Sequence, residues 1–318
     1  VMPHSIGTAS RDFSTLQAWE DARDGNLTTR QVFKISSQSA AFSASETITG
    51  LTSNATGTYL IERATPSASE TYMSLDGGGG TFQQGEVVQG GASNATATIS
   101  AILTTAGTIE KGEAYKDSTF TAGFIIDGST TDANHYMWLT AEPGSRHTGV
   151  AGSGVKANAP NTAFELRNGY FIIEYIEITS FGDGGSDGVR STVNSDNAVI
   201  RNMLIHDDTT GYNTSIDTGS GSNVTFYDNI IYGVDQGITA PRDSAKVYNN
   251  TVYGGDKGID NTDTTKYPLF QNNISLGNTT YDFITTYVSA ASSNNISSDG
   301  TATSTGSNYQ INKSVSDL

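Results

Sequence analysis

From about Phe164 to Ser298, short runs of alternating apolar and polar residues recur and align with one another. They are Ile173-Glu174-Tyr175-Ile176-Glu177-Ile178, Ile200-Arg201-Asn202-Met203-Leu204-Ile205 and Tyr227-Asp228-Asn229-Ile230-Ile231-Tyr232. Tyr248-Asn249-Asn250-Thr251-Val252-Tyr253, Gln271-Asn272-Asn273-Ile274-Ser275-Leu276 and a fading Ser293-Asn294-Asn295-Ile296-Ser297 follow. Their third column holds Tyr175, Asn202, Asn229, Asn250, Asn273 and Asn295, spaced 27, 27, 21, 23 and 22. A second column holds Val189, Ile216, Ile238, Ile259 and Phe283, each 12 to 14 residues ahead of the next Asn. Self-similarity at this period, with β-branched runs and Gly/Asn/Asp turns, predicts stacked coils.

The fold class expected is all-β: a right-handed parallel β-helix (solenoid) with an N-terminal capping helix and an inserted small β-module. Each strand would pair with its equivalent one coil away, at about 4.8 Å. One coil cannot bury its own apolar residues, so the stack supplies the core. Asn202, Asn229, Asn250, Asn273 and Asn295 are expected to form a structural ladder of side-chain amides. A leucine-rich repeat lacks support, because the Leu-x-x-Leu-x-Leu frame is missing. A β-sandwich would not show a ladder of this length.

Towards the N-terminus the period changes. Ser14-Thr15-Leu16-Gln17 has the form of a capping box opening a helix through about Ala22, with Leu16 and Trp19 on one face. That helix is expected to cap the first coil, which would otherwise expose strand edges. Val32-Phe33-Lys34-Ile35 reads as the first strand of the solenoid. Then Glu46 to Thr58 matches Glu86 to Thr98 at a constant offset of 40. Alternation on both sides of a Gly-Ser-Asn turn predicts one hairpin used twice. Gly77 to Gly80 between the copies reads as a flexible turn, since no Lys-Ser/Thr follows as a phosphate cradle requires. The expected division is 1–44 for the cap and first coil, 45–108 for the duplicated hairpin module, and 109–318 for the β-helix. Phe124-Ile125-Ile126 and Tyr136 to Ala141 read as strands of the resumed pattern.

Ser5-Ile6-Gly7-Thr8 through Arg11 to Ala22 resembles the opening of a group of right-handed parallel β-helix proteins found in phage and prophage genomes. Tyr136-Met137-Trp138-Leu139-Thr140-Ala141-Glu142-Pro143-Gly144 and the Asn-column coils are similar to the same group. The Phe82-x-x-Gly85-Glu86-x-Val88-x-Gly90-Gly91-x-Ser93-x-Ala95-Thr96-Ala97 stretch resembles β-modules of phage virion proteins. Together these segments cover most of the chain and carry no catalytic motif. The resemblance implies a virion-surface structural protein of capsid-decoration, spike or fibre type. Its implied partners are other virion proteins, such as a capsid or tail protein, with a host surface glycan and homo-oligomerisation as further options. An extracellular location is the alternative.

Charge narrows the partners. The chain of 318 residues carries a formal net charge of −16, with pI ≈ 4.4, so binding to nucleic acid is not expected. Its lack of cysteine excludes disulfides and thiolate metal sites. No run approaches the 18 or more apolar residues of a membrane span, and no basic-then-apolar leader opens the sequence. No membrane association is expected.

The carboxylates and histidines are the candidates for chemistry. Polygalacturonase-like β-helix enzymes use separated Asp residues, an Asp pair, a Gly-His-Gly and an Arg-x-Lys. Here Asp207 and Asp208 follow His206, with Asp217 and Asp235 further on, and such carboxylates can serve as acid and base across a glycosidic bond. The Gly-His-Gly and Arg-x-Lys companions are missing from the sequence, and the clustered Arg or Lys of pectate lyases has no counterpart. Asp207 and Asp208 are therefore expected to be solvated turn residues, with no catalytic site. A polysaccharide lyase or hydrolase using Asp207, Asp208 and Asp217 is the alternative, and an extracellular carbohydrate-binding module is a third. The four histidines show no ligand spacing. No cofactor is expected, although Asp183 and Asp187, in Asp183-Gly184-Gly185-Ser186-Asp187-Gly188, form a calcium candidate. Tyr232 and Tyr253 share a column and are expected to stack on one face.

Overall fold

Ile173, Ile200, Phe226, Val247 and Phe270 lie side by side on adjacent parallel strands, each in register with the next. This register follows from the repeat: every circuit of the chain brings one buried apolar side chain to the same place. The computed structural model describes residues 1–179, 185–192, 194–208, 213–240, 242 and 244–317, and of Asp207 and Asp208 the backbone alone. The described residues are all-β apart from one helix and short 3-10 turns. The chain divides into two units, Val1–Glu113 with Gly128–Trp138, and Ala114–Asp127 with Leu139–Leu318.

In the larger unit the chain passes repeatedly through three parallel sheets. The first contains Phe171–Glu174, Val199–Arg201, Thr225–Tyr227, Lys246–Tyr248 and Leu269–Gln271. A second runs from Thr119–Phe120 through Val155–Ala157, Ile176–Thr179, Leu204–Asp208, Ile230–Val234, Thr251–Tyr253 and Ile274–Leu276 to Ile296–Ser297. The third holds Phe124–Ile126, Phe164–Leu166, Asp187–Ser191, Thr214–Asp217, Gln236–Thr239, Lys257–Asn261 and Tyr281–Thr285. Along it, Phe164, Val189, Ile216, Ile238, Ile259 and Phe283 are register partners and all buried. Each such side chain contributes roughly 1.5–3 kcal/mol by leaving water.

Between the first and second sheets the chain turns through one residue of positive φ: Tyr175, Asn202, Asp228, Asn249, Asn272 and Asn294. Asn and Asp tolerate this left-handed conformation best among residues with a side chain. The position after it points inward, and there the amides stack. Asn250 Oδ1 accepts from Asn229 N (3.2 Å) and Nδ2 (2.8 Å), and Asn273 Oδ1 accepts from Asn250 N and Nδ2 (both 3.1 Å). Asn295 Oδ1 accepts from Asn273 N and Nδ2, both at 3.0 Å. Each amide nitrogen also reaches a backbone carbonyl, such as Ile200 O or Phe226 O. Asn202 does not belong to this row. It occupies the left-handed turn position opposite Asp228, while Met203 takes the inward place and donates its N–H to Asn229 Oδ1. The aligned column was therefore one residue out of step at Tyr175 and Asn202. A second, exposed amide row joins Asn249, Asn272 and Asn294.

The smaller unit contains a closed antiparallel barrel in the order Gln31–Ser36, Tyr72–Gly79, Thr56–Leu60, Thr47–Gly50, Val87–Gly90, Thr96–Thr104. Phe33, Phe42, Ile48, Tyr59, Met73, Leu75, Phe82, Val88 and Ile99 fill it. Two corrections follow. Val32 to Ile35, expected as a solenoid strand, pairs antiparallel with Tyr72–Gly79 and Thr96–Thr104 and closes the barrel. Gly77 to Gly79, expected as a turn, extends a strand. A Cβ on Gly78 (φ +88) would collide with Thr56 O, so glycine is required there. The hairpin copies pair with each other about a local two-fold through Thr49 and Gln89, with Ile48 opposite Gly90 and Gly50 opposite Val88.

The same unit holds the helix Leu16–Arg23, whose N-cap is Thr15, with Oγ1 accepting from Ala18 N at 3.0 Å. Its last residue, Arg23, is fully buried and donates to both oxygens of Glu110, to Ser74 Oγ and to Ile61 O. Arg30 bridges Glu110 and Asp76 at 2.7–3.0 Å. His4 Nε2 lies 3.3 Å from Glu110. Burial alone would raise the Glu110 carboxyl, but Arg23, His4 and Arg30 outweigh it and hold it well below the usual range.

Candidate functional site

The outward face of the third sheet gathers carboxylates that the repeat places in one row. Because Ile216, Ile238 and Ile259 point into the core, the residues that follow them, Asp217, Thr239 and Asp260, face out and are register partners. Arg190 precedes Asp217 in that row, and Glu165 precedes Arg190. Asp187 lies on the strand of Arg190, with its carboxylate 3.8 Å from Arg190 Nε. Tyr281, from the next circuit, donates its hydroxyl to Asp260 Oδ2 at 3.2 Å.

This environment disfavours negative charge. Burial, reinforced by Asp217, pushes the Asp187 carboxyl up to about 7. Burial likewise pushes Asp260 up to about 6, again with Asp217 adding repulsion. Asp217 is also raised by burial, although Gly219 N–H donates to it and Arg190 and Arg242 oppose the shift. Asp235 is raised by burial and by Asp256. A row of carboxylates raised above their ordinary range by burial can exchange protons.

The sequence candidates fall out differently. Asp207 and Asp208 end the strand Leu204–Asp208, with Asp208 paired to Val234, rather than lying in a turn. Their side chains lie outside the described residues, as does Asp183. Asp217 belongs to the row above, and so does Asp187 in its neighbourhood. His206 is buried, its Nε2 2.9 Å from Glu177 Oε1 and its ring stacked on Tyr232 at 5.0 Å. Glu177 also accepts from Gly152 N. Tyr232 and Tyr253 are register partners. Tyr227 and Tyr248 stack in parallel at 4.9 Å, with Arg201 donating to Tyr227 and to Glu174.

Asp260 was missed by sequence reasoning, though its signal was present. The residues immediately after Val189, Ile216, Ile238 and Ile259 are Arg190, Asp217, Thr239 and Asp260, a polar column beside the aliphatic one. The chain matches no family model, no curated protein and no solved structure.

Proposed function

We propose that the larger unit is a right-handed parallel β-helix and that the protein is a non-enzymatic structural component of a phage particle surface, of decoration, spike or fibre type. The observation that carries this reading is the amide row from Asn229 to Asn295. It spends polar side chains, circuit after circuit, on joining the stack to itself, which suits a load-bearing rod more than a reactive cleft. Glu174 and Glu177 are spent in the same way, on Thr140, Arg201, Gly152 and His206. The net charge of −16 keeps such a surface away from packaged nucleic acid. A capsid or tail protein is the partner proposed.

The test is gold-labelled antibody against the chain, applied to purified particles of a phage that encodes it. Labelling at a fixed place on the particle is expected. Particles that assemble and carry no label, with the protein recovered free in the lysate, would contradict it.

A second reading, glycan cleavage, draws on the row of Asp187, Asp217 and Asp260. Neighbouring carboxyls raised by burial, Asp187 to about 7 with Asp217 adding repulsion, are groups that general acid–base chemistry can use. Release of oligosaccharide by purified protein, lost in Asp217→Asn, would promote that reading over the structural one.

A further inference from the structure

Charge is spread unevenly along the sequence. Between Lys34 and Glu62 lie 27 residues whose one charged member is Glu46, and between Asp76 and Glu110 lie 33 whose one charged member is Glu86. At the 16% of the whole chain these two stretches would carry about ten charges. Both glutamates are buried, each bonded to a serine of the other hairpin copy. The same stretches supply four adjacent barrel strands, in the order Thr56–Leu60, Thr47–Gly50, Val87–Gly90, Thr96–Thr104. Side chains alternate along each, so the central pair turns Thr47, Thr49, Val87 and Gln89 outward, with threonines flanking them on both sides. Leu51, just past its strand, is 54% exposed. The barrel thus presents a four-stranded face with no charged side chain, on a chain whose net charge is −16.

We propose that this face is where a second copy of the chain docks, face to face about a two-fold axis. Electrostatics selects that occupant. Two chains of net charge −16 repel each other where their acidic surfaces meet, and on this face they meet no charge. A basic partner gains nothing here, because attraction draws it to the acidic remainder of the surface. Lys, Glu and Asp are also the residues that the centres of protein contacts exclude. Charged side chains ordinarily keep exposed sheet surfaces of a soluble protein apart, and this face lacks them.

The face also matches itself. Leu51 protrudes beside Val87, and its counterpart at the offset of 40 is Gly91, beside Thr47 at the opposite end of the central pair. A two-fold axis in the plane of the face, at right angles to the line joining Leu51 and Gly91, sets each Leu51 over the other copy's Gly91. That is the reciprocal contact an isologous dimer requires. Size sets the strength. Four strands about 4.8 Å apart and five residues of about 3.3 Å make a face of roughly 300 Å² per copy. Two such faces fall short of the roughly 1,200 Å² of a stable complex, so the dimer is weak and reversible. The proposal concerns the chain alone and does not depend on its place in a particle.

Sedimentation equilibrium of the full chain, from about 1 µM to about 1 mM, tests this. A reversible monomer–dimer equilibrium is expected. Raising NaCl from about 50 to about 500 mM should tighten it, because salt screens the repulsion between like-charged chains and there is no ion pair in the contact to weaken. Gln89→Glu, which keeps the side-chain shape, and Leu51→Glu should each weaken the dimer at least tenfold. Asn134→Asp adds the same charge at an exposed position off this face and should leave it within about twofold. All three positions face solvent in the monomer, so the variants should fold, and circular dichroism checks that they do. A chain that stays monomeric throughout would overturn the proposal and leave the face to another partner. So would a dimer that both glutamate variants retain, or one that salt dissociates, since its contact would then lie on charged surface.

Discussion

Glu46 closes the turn at Ser93, in the hairpin copy that is not its own. Its carboxylate accepts from Ser93 Oγ at 2.7 Å, from Ser93 N at 2.9 Å and from Ala92 N at 2.8 Å. Glu86, forty residues later, does the same for Ser53 and Thr52 in the first copy. Gly50 and Gly90 make room for this exchange, since a Cβ on either would strike the incoming carboxylate. The duplication is thus locked by a reciprocal pair of charged hydrogen bonds, each holding one half of the barrel to the other.

Glu46→Ala and Glu86→Ala should cost similar amounts, because the two sites are equivalent by the local two-fold. Each removes charge-assisted bonds to three backbone N–H groups, one of them in its own copy at Ser43 or Gln83, and to a hydroxyl, for a loss of about 1.5–3 kcal/mol. Urea unfolding of both variants checks this. A cost at one site only would show that the exchange is not reciprocal in solution.

Acidity should act on the two units with opposite sign. In the larger unit Asp187 and Asp260 are raised, to about 7 and about 6. Their contribution is full below their unfolded value near 4 and is lost as pH rises through 6 and 7. In the barrel, burial would raise Glu46 and Glu86, but hydrogen bonds to Ser93 and Ser43, and to Gln83 and Ser53, lower them. That contribution is full above about 4.5 and is lost as pH falls below it. The double variant Asp187→Asn, Asp260→Asn should therefore flatten the loss of stability between pH 4 and 7. Melting curves across that range that keep the wild-type slope would contradict the assignment.

Interrupting the inner amide row should be far more damaging than altering the turn beside it. Asn250→Ala strands the Asn229 amide and N–H and leaves Asn273 Oδ1 free of the Asn250 amide, for a loss of about 2–5 kcal/mol. Asn249→Ala, one residue earlier and exposed, carries mainly the left-handed backbone cost of about 1–2 kcal/mol. Chemical denaturation of the pair checks the ranking, and equal losses would contradict it.

The buried ion cluster makes a fourth stability test. Glu110→Gln leaves Arg23 and Arg30 facing an uncharged amide in a site with no solvent exposure. About 3–5 kcal/mol should be lost. A variant as stable as the wild type would show that the cluster's charges are solvated.

The three-sheet register was legible wherever an apolar column recurs, because burial enforces a two-residue alternation that a sequence displays directly. Val189 through Phe283 shows this. The error at Asn202 has a physical cause: Asn suits both the left-handed turn and the inward amide position, so adjacent columns share one residue type. Met203 filled the inward place with an apolar side chain and hid the shift. The barrel's first strand was not legible, since Val32 to Ile35 alternates the same way whether its partner is parallel or antiparallel. Pairing is decided by residues 72 to 104, far along the chain. Asp260 was missed because a single carboxylate in a strand carries no signal until its neighbours one circuit away are known.

The register itself can be tested by cross-linking, since the chain has no cysteine of its own. Asn202 and Asp228 occupy equivalent left-handed turns on adjacent circuits, about 4.8 Å apart, within the 4.4–6.8 Å that a disulfide spans. Asn229 points into the core. Asn202→Cys with Asp228→Cys should therefore form a disulfide under mild oxidation, read as the loss of two hydrogen atoms on intact-protein mass spectrometry. Asn202→Cys with Asn229→Cys should stay reduced while the protein is folded. Efficient closure of the second pair and not the first would place Asn202 in the inner row and contradict the stack described.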